Sequence, residues 1–353
     1  MYGALKGLLF KMDPERAHHL ALRFLKAAQA THTLGALRPP APSPRLASRF
    51  LGFDVAAPLG MAAGFDKGAE VHSALFALGF GHVEVGTVTP KPQPGNDGLR
   101  VQRHPQHQAL VNRMGFPGPG MEVAARRLAA RPAAGLLGGN IGPNKTTPAE
   151  RVVDDLRAVA ASLAPHVRFL TINVSSPNTP GLRALQAPEA VSLLVRATLN
   201  AAADAGHKRP VLLKLHPDAA DEELVRVARA AVDAGAAAII ATNTTRARPA
   251  GTESAIEGGL SGAPLLARSR QVIAALHHGL GRDTPLMGVG GILTGADALG
   301  HIRAGATLVQ SYTGFIYRGP RQPRLVHDEL VAELDKAGLD RLDEAMGQPA
   351  RSA

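Results

Sequence analysis

Residues 210–243 read PVLLKLHPDAADEELVRVARAAVDAGAAAIIATN, and the order of textures inside this stretch decides the fold. It opens on PVLLKL (210–215), a short run of buried-type residues without the polar alternation of a half-exposed strand. DEELVRVARAAVDAG (221–235) follows, with Leu224, Val227, Ala228 and Ala231 spaced to share one helix face. A second apolar run, AAAIIATN (236–243), closes it. Buried-type strands joined by an amphipathic helix belong to a parallel sheet covered by helices.

The same texture extends outward in both directions. Apolar runs stand at 57–64 (APLGMAAG), 82–87 (HVEVGT), 134–142 (AGLLGGNIG), 169–176 (FLTINVSS), 285–291 (PLMGVGG) and 306–312 (ATLVQSY), which with the first two makes eight. Strand and helix alternating eight times predict an α/β fold, a (β/α)8 TIM barrel over 45–340. An open doubly wound sheet would carry a glycine fingerprint after its first strand, and GMAAGFDKG (60–68) is a poor one. Hairpins are expected at 45–56 and 98–112, the second turning around His104 to His107.

A chain of 353 residues, 45% hydrophobic and 19% charged, suits one such barrel with additions. With no cysteine there is no disulfide, thiolate metal site or cysteine nucleophile on this chain. The 14 histidines are dispersed and show no ligand spacing, so no metal is expected; the adjacent pairs His18/His19 and His277/His278 read as surface residues. The net charge of +10 is compatible with nucleic acid, an anionic membrane or acidic small molecules. Few aromatics and no recognition motif speak against nucleic acid.

Ahead of the barrel, 1–36 reads as two amphipathic helices split at Asp13-Pro14, an N-cap followed by proline at the first helical position. LRPPAPSP (37–44) reads as a stiff linker, and 341–353 as a flexible tail. GLLF is too short for a signal-peptide core, and no stretch approaches the ~20 apolar residues of a membrane span.

Barrel enzymes place reactive groups at the C-terminal strand ends. Those ends offer Ala63, Gly64, Asp66 and Lys67; Gly86 and Thr87; Asn140 and Gly142; Asn173, Ser175, Ser176 and Asn178; Lys214; Thr242, Asn243 and Thr244; Gly290 and Gly291; Tyr312 and Thr313. The last two ends are glycine-rich and hydroxyl-bearing, which suits a phosphate. Lys214 is the lone lysine in a strand run, a plausible stabiliser of negative charge on a reduced ring. The amides and hydroxyls suit a planar heterocycle with NH and C=O edges: a flavin, a pyrimidine, or both.

AAGFDK (62–67), EVGTVTPKPQPGN (84–96), NRMGF (112–116), NIGPNK (140–145), INVSSPNTPGLR (172–183), ATNTT (241–245), GGLSG (258–262), GVGGI (288–292) and YTGFIYRGP (312–320) together resemble the dihydroorotate dehydrogenases, in order over nearly all of 45–320. The leading helix pair, and serine rather than cysteine at position 176, resemble the class 2, quinone-dependent branch. That resemblance implies FMN held by Ala63, Gly64, Phe65, Asp66, Lys67, Thr87, Asn140, Asn173, Lys214, Thr242, Gly262, Gly291, Tyr312 and Thr313. It implies dihydroorotate held by Lys67, Asn112, Arg113, Met114, Gly115, Phe116, Asn173, Asn178, Asn243 and Thr244, with Ser176 as catalytic base. It further implies (S)-dihydroorotate oxidation to orotate in pyrimidine (UMP) biosynthesis, by a monomer on the cytoplasmic side of the cell membrane that feeds a respiratory quinone. Pro117 and Pro143 stand where similar proteins more often carry polar residues, which bears on the loop over the substrate. The rivals are another FMN barrel such as a hydroxy acid oxidase, which would use histidine as base, and a phosphate-binding isomerase or lyase without flavin.

Overall fold

The computed structural model describes residues 2–31, 33–175 and 184–348, and the expected Ser176, Asn178 and Thr179 lie outside them. Eight strands close into a barrel: β1 (Leu59–Met61), β2 (His82–Val88), β3 (Leu136–Ile141), β4 (Phe169–Ile172), β5 (Val211–Leu215), β6 (Ala238–Ala241), β7 (Leu286–Val289) and β8 (Leu308–Ser311). Every neighbouring pair is parallel, and sequence order is spatial order around the ring. The stretch that opens the argument supplies β5, the helix Asp221–Asp233 and β6, with Ile240 opposite Lys214.

Alternation along each strand divides the core in two. Leu137, Leu170, Leu213, Ile239 and Val309 face the helices in one large cluster. Their chain neighbours Leu136, Phe169, Leu212, Ile240 and Leu308 turn inward and pack with Phe50 and Val55. Those two belong to the antiparallel hairpin Ser48–Phe50/Phe53–Val55, which thereby stops the N-terminal mouth of the barrel. Two glycines make room inside: a Cβ on Gly138 would lie 2.2 Å from the Phe169 ring, and one on Gly60 2.2 Å from the His82 ring. Burial pushes the His82 imidazole down to about 3, so it is a neutral core residue.

The second hairpin forms as expected, Val101–His104 against Ala109–Asn112 with a 3-10 turn at Pro105–His107. The structure adds a third strand, Gly259–Gly262, from the long segment after β6. Three of its four residues are glycine or serine, so nothing local announces a strand; pairing with Ala109–Asn112 creates it.

At the N-terminus, α1 (Tyr2–Lys11) and α2 (Pro14–Ala30) meet at Asp13, whose carboxylate accepts from the N–H groups of Glu15 (3.1 Å) and Arg16 (3.0 Å). Leu22 and Leu25 are buried in the main cluster. The pair is also fastened by polar groups: Arg100 grips the Glu15 carboxylate with two nitrogens at 2.6 and 2.8 Å, and Arg103 donates to the carbonyl of Met12 at 2.7 Å. Tyr2 donates to the carbonyl of Ile316 at 2.6 Å. After a short helix at Leu34–Leu37, the proline-rich stretch runs into the 3-10 turn Pro44–Leu46, with Leu46 fully buried. One expectation is corrected at the C-terminus. The segment read as a flexible tail from 341 begins with the 3-10 turn Leu342–Ala345, and Leu342 and Ala345 are core residues, because the turn packs against the helix Gly295–Arg303.

Candidate active site at the C-terminal mouth of the barrel

A cavity of about 750 Å³ lies between the C-terminal strand ends and the helix pair. That volume falls within the range of sites that enclose a small organic ligand. Of the expected residues, Ala63, Gly64, Phe65, Lys67, Thr87, Asn112, Met114, Gly115, Phe116, Asn173, Lys214, Thr242, Asn243, Thr244, Gly262, Gly291, Tyr312 and Thr313 line it. They come from every barrel strand end except that of β3, whose contribution sits one step behind the wall.

Three expected residues do not present side chains to the cavity. Asp66 is fully buried and accepts from the N–H groups of Glu70 (2.6 Å) and Val71 (2.9 Å), so its carboxylate shapes the loop after β1. Burial raises its carboxyl while those two donors act against the rise. Arg113 turns outward to the carbonyl of Asp97. Asn140 lies behind Thr87 and Asn173 and accepts from both, at 2.5 and 3.1 Å.

The cavity floor is polar and ordered. Thr244 N–H donates to Asn243 Oδ1 (2.8 Å), Asn243 Nδ2 to Asn173 Oδ1 (3.3 Å), Asn173 Nδ2 to Asn140 Oδ1 (3.1 Å), and Asn140 Nδ2 to Glu84 Oε1 (2.6 Å). Two hydroxyls brace the row: Thr87 accepts from Asn173 at 2.9 Å, and Ser175 accepts from Asn243 at 3.1 Å. The other Glu84 oxygen accepts from Gln310 Nε2 at 2.7 Å. Glu84 and Gln310, both 0% exposed, were missed from the sequence; the available signal was a carboxylate alternating inward with His82 in an otherwise apolar strand.

Two lysines stand out against this neutral wall. Lys214 is buried on β5 and has no hydrogen-bond partner among the described residues; burial lowers its pKa, and the Glu84 carboxylate pulls the other way. Lys67, half-buried on the opposite rim, is likewise without a hydrogen-bond partner among the described residues. Burial pushes it down to about 8, with Glu15 opposing. A buried ammonium without a partner is costly unless an anionic or electron-rich ligand completes it.

At the ends of β7 and β8, Gly290 and Gly291 have φ of +127° and +75°. A Cβ on Gly291 would lie 2.6 Å from Leu266, so only glycine brings this backbone so close to its neighbour. Ser261 and Thr313 hydroxyls meet at 2.8 Å beside it.

The opposite side of the cavity is apolar and belongs to the helix pair: Leu5, Leu9, Phe10, Leu20, Phe24 and Leu25. His18 corrects the surface reading of the His18/His19 pair. His19 is exposed, whereas His18 lines the cavity, edge-on to the Phe65 ring at 5.2 Å. Burial, with Lys67 adding to it, holds the His18 imidazole far below its ordinary pKa. Helix periodicity puts the two imidazoles on different faces, but only the packed barrel shows which face is covered.

The family profile for Dihydroorotate dehydrogenase matches residues 45–334. A protein of Anaeromyxobacter dehalogenans (strain 2CP-C) named Dihydroorotate dehydrogenase (quinone) is 47% identical over 99% of this chain and 98% of its own length. One of Rhodospirillum rubrum with the same name is 49% identical over 98% and 93%. The crystal structure of DHODH in complex with ferulenol from Eimeria tenella superposes with a TM-score of 0.87, at 34% identity, covering 96% of each chain. The chain therefore belongs to the dihydroorotate dehydrogenase family, in its class 2, quinone-dependent branch.

Proposed function

We propose that the chain oxidises (S)-dihydroorotate to orotate, with FMN as its resident cofactor and a quinone as the terminal acceptor, in pyrimidine biosynthesis. The observation that carries this reading is a pair of lysines lacking hydrogen-bond partners among the described residues, set in a wall of neutral amides and hydroxyls. The residues fit FMN. Gly291 and Thr313 would hold the phosphate, Lys214 would supply a cation to the electron-accepting ring, and Thr87, Asn173 and Thr242 would offer groups for its edge, with Asn140 backing Thr87 and Asn173. The chemistry FMN supplies when bound is acceptance of a hydride from the substrate and return of the electrons to a quinone.

The chain itself positions the substrate and takes up its proton. Lys67 pairs the substrate carboxylate, and Asn173, Asn243 and Thr244 take the ring amides, with Asn178 completing the set. Asn112 to Phe116 cover the bound ring and exclude water. Ser176 removes the proton from C5 as C6 gives up hydride. A serine hydroxyl is a weak base, and no histidine or carboxylate neighbours it in sequence; a relay through Thr179 and water near Phe116 would assist.

Purified protein should be yellow, be bleached anaerobically by dihydroorotate, and be reoxidised by a quinone but not by fumarate or NAD. A colourless protein, or preference for fumarate or NAD, would end this reading. Lys67 sets a pH dependence. Its ammonium is charged below about 8, so orotate affinity should be level there and fall by up to about tenfold per pH unit above it. Lys67→Ala should abolish that step and weaken orotate about 10- to 100-fold, read from the flavin absorbance shift.

The helix pair is proposed as the quinone entrance and as a peripheral membrane contact on the cytoplasmic side of the cell membrane, in a monomeric protein. No helix among the described residues is long and apolar enough to cross a membrane. Leu8 and Phe24, each 63% exposed, project from α1 and α2 among Lys6, Lys11, Arg16 and Arg23, an arrangement suited to an anionic interface. Leu8→Asp should weaken binding to anionic vesicles about tenfold or more and leave flavin reduction unchanged. Unaltered vesicle binding would return this face to a solvent-exposed surface.

A further inference from the structure

The three asparagines of the cavity floor run head to tail between two ends that cannot reverse. At one end is the backbone N–H of Thr244, a donor only; at the other is the Glu84 carboxylate, an acceptor only when ionised. An amide side chain alone can present either its C=O or its NH2, and the two choices differ little in shape. Here each choice is dictated by the next. Glu84 demands the NH2 of Asn140, so Asn140 Oδ1 must face the cavity side and accept from Thr87 and Asn173. Asn173 is thereby committed as donor toward Asn140, and its Oδ1 accepts from Asn243 and Ser175. Gln310 obeys the same rule: its NH2 goes to Glu84, although its Oε1 is buried with no partner among the described residues.

We propose that Glu84 is the positioning residue that fixes the donor and acceptor polarity of the asparagine row, and hence which groups of Asn173 and Asn243 are presented to the pyrimidine ring. It does so from behind the cavity wall, without touching the ligand. A glutamine at 84 would fill the same space but could accept from only one of Asn140 and Gln310, so the row would be pinned at its Thr244 end alone and the links nearest position 84, Asn140 and then Asn173, could reverse. Reversal would set like groups against each other where the ring expects a complementary edge, and a buried mismatch of this kind is costly.

The inference rests on the proposed pyrimidine site, and the experiment separates the two. Orotate is titrated into flavin-loaded wild-type protein and followed by the flavin absorbance; absence of any orotate response there would sink the site reading alone. Glu84→Gln should weaken orotate by about tenfold or more. The decisive variant is Glu84→Gln with Asn140→Asp, which moves the carboxylate one link along the row. The carboxylate introduced at position 140 would still accept from Thr87 and Asn173, while the amide introduced at position 84 would donate to that carboxylate and accept from Gln310. Orotate affinity should return to within about threefold of wild type, a non-additive rescue that bulk or packing would not produce. Wild-type affinity in Glu84→Gln, or no recovery in the double variant, would overturn the proposal. Should Glu84→Gln fail to retain flavin, recovery of flavin content in the double variant supports it and continued loss overturns it.

Discussion

Ser176→Ala is expected to keep its flavin and to slow flavin reduction by dihydroorotate by about two to four orders of magnitude. The size follows from the chemistry: the C5 proton is weakly acidic, and the polar floor among the described residues supplies amides, hydroxyls and lysines, while the cavity's Glu15 is held by Arg100 and its His18 packs edge-on to Phe65 with its basicity lowered by burial. Lys67, which burial lowers to about 8, is assigned above to the substrate carboxylate. His216, which follows β5, engages the N–H of Asp218 with its Nδ1. Stopped-flow reduction under anaerobic conditions measures the step directly. A rate within a few fold of wild type would remove Ser176 as base and leave the amide row without a proton acceptor. Binding of orotate should change little, because a hydroxyl that acts mainly in the transition state adds little to ground-state affinity.

Lys214→Ala is expected to purify with at most about a tenth of the normal flavin. Lys214 is 6% exposed, and the Glu84 carboxylate acts on its charge across the barrel interior. Its removal would take from an electron-accepting ring the one cation that the barrel strands supply, and with it the positive charge that the Glu84 carboxylate favours. Lys214→Arg keeps the charge and should retain more flavin than the alanine variant. Normal flavin content and reduction potential in Lys214→Ala would contradict the assignment.

These two residues show how differently the parts of the site were legible. Lys214 could be singled out because one cation in PVLLKL breaks an apolar strand, and a strand run with a known direction tells which end carries chemistry. Lys67, Thr87, Asn173 and Thr242 follow from the same logic. Asp66 and Arg113 share motifs with cavity residues, yet the structure turns their side chains to the backbone of Glu70 and Val71 and to Asp97. A motif specifies neighbours along the chain, and adjacent residues there need not face the same way.

The sequence by itself determined the barrel, the hairpins and the helix pair, because periodicity records which face of each element is buried and Asp13-Pro14 marks where a helix begins. It also determined which strand ends would meet, since eight repeated strand–helix units close in one order. Only the tertiary structure decided that Gly259–Gly262 is a strand, that His18 rather than His19 enters the cavity, and that Glu84 anchors three asparagines. Each depends on partners far apart in the chain: Glu84 and Asn140 are 56 residues apart, Asn173 and Asn243 are 70, and Gln310 and Glu84 are 226. Local patterning reports burial, whereas the direction of a buried hydrogen bond is set by whatever donor or acceptor chain closure brings to it.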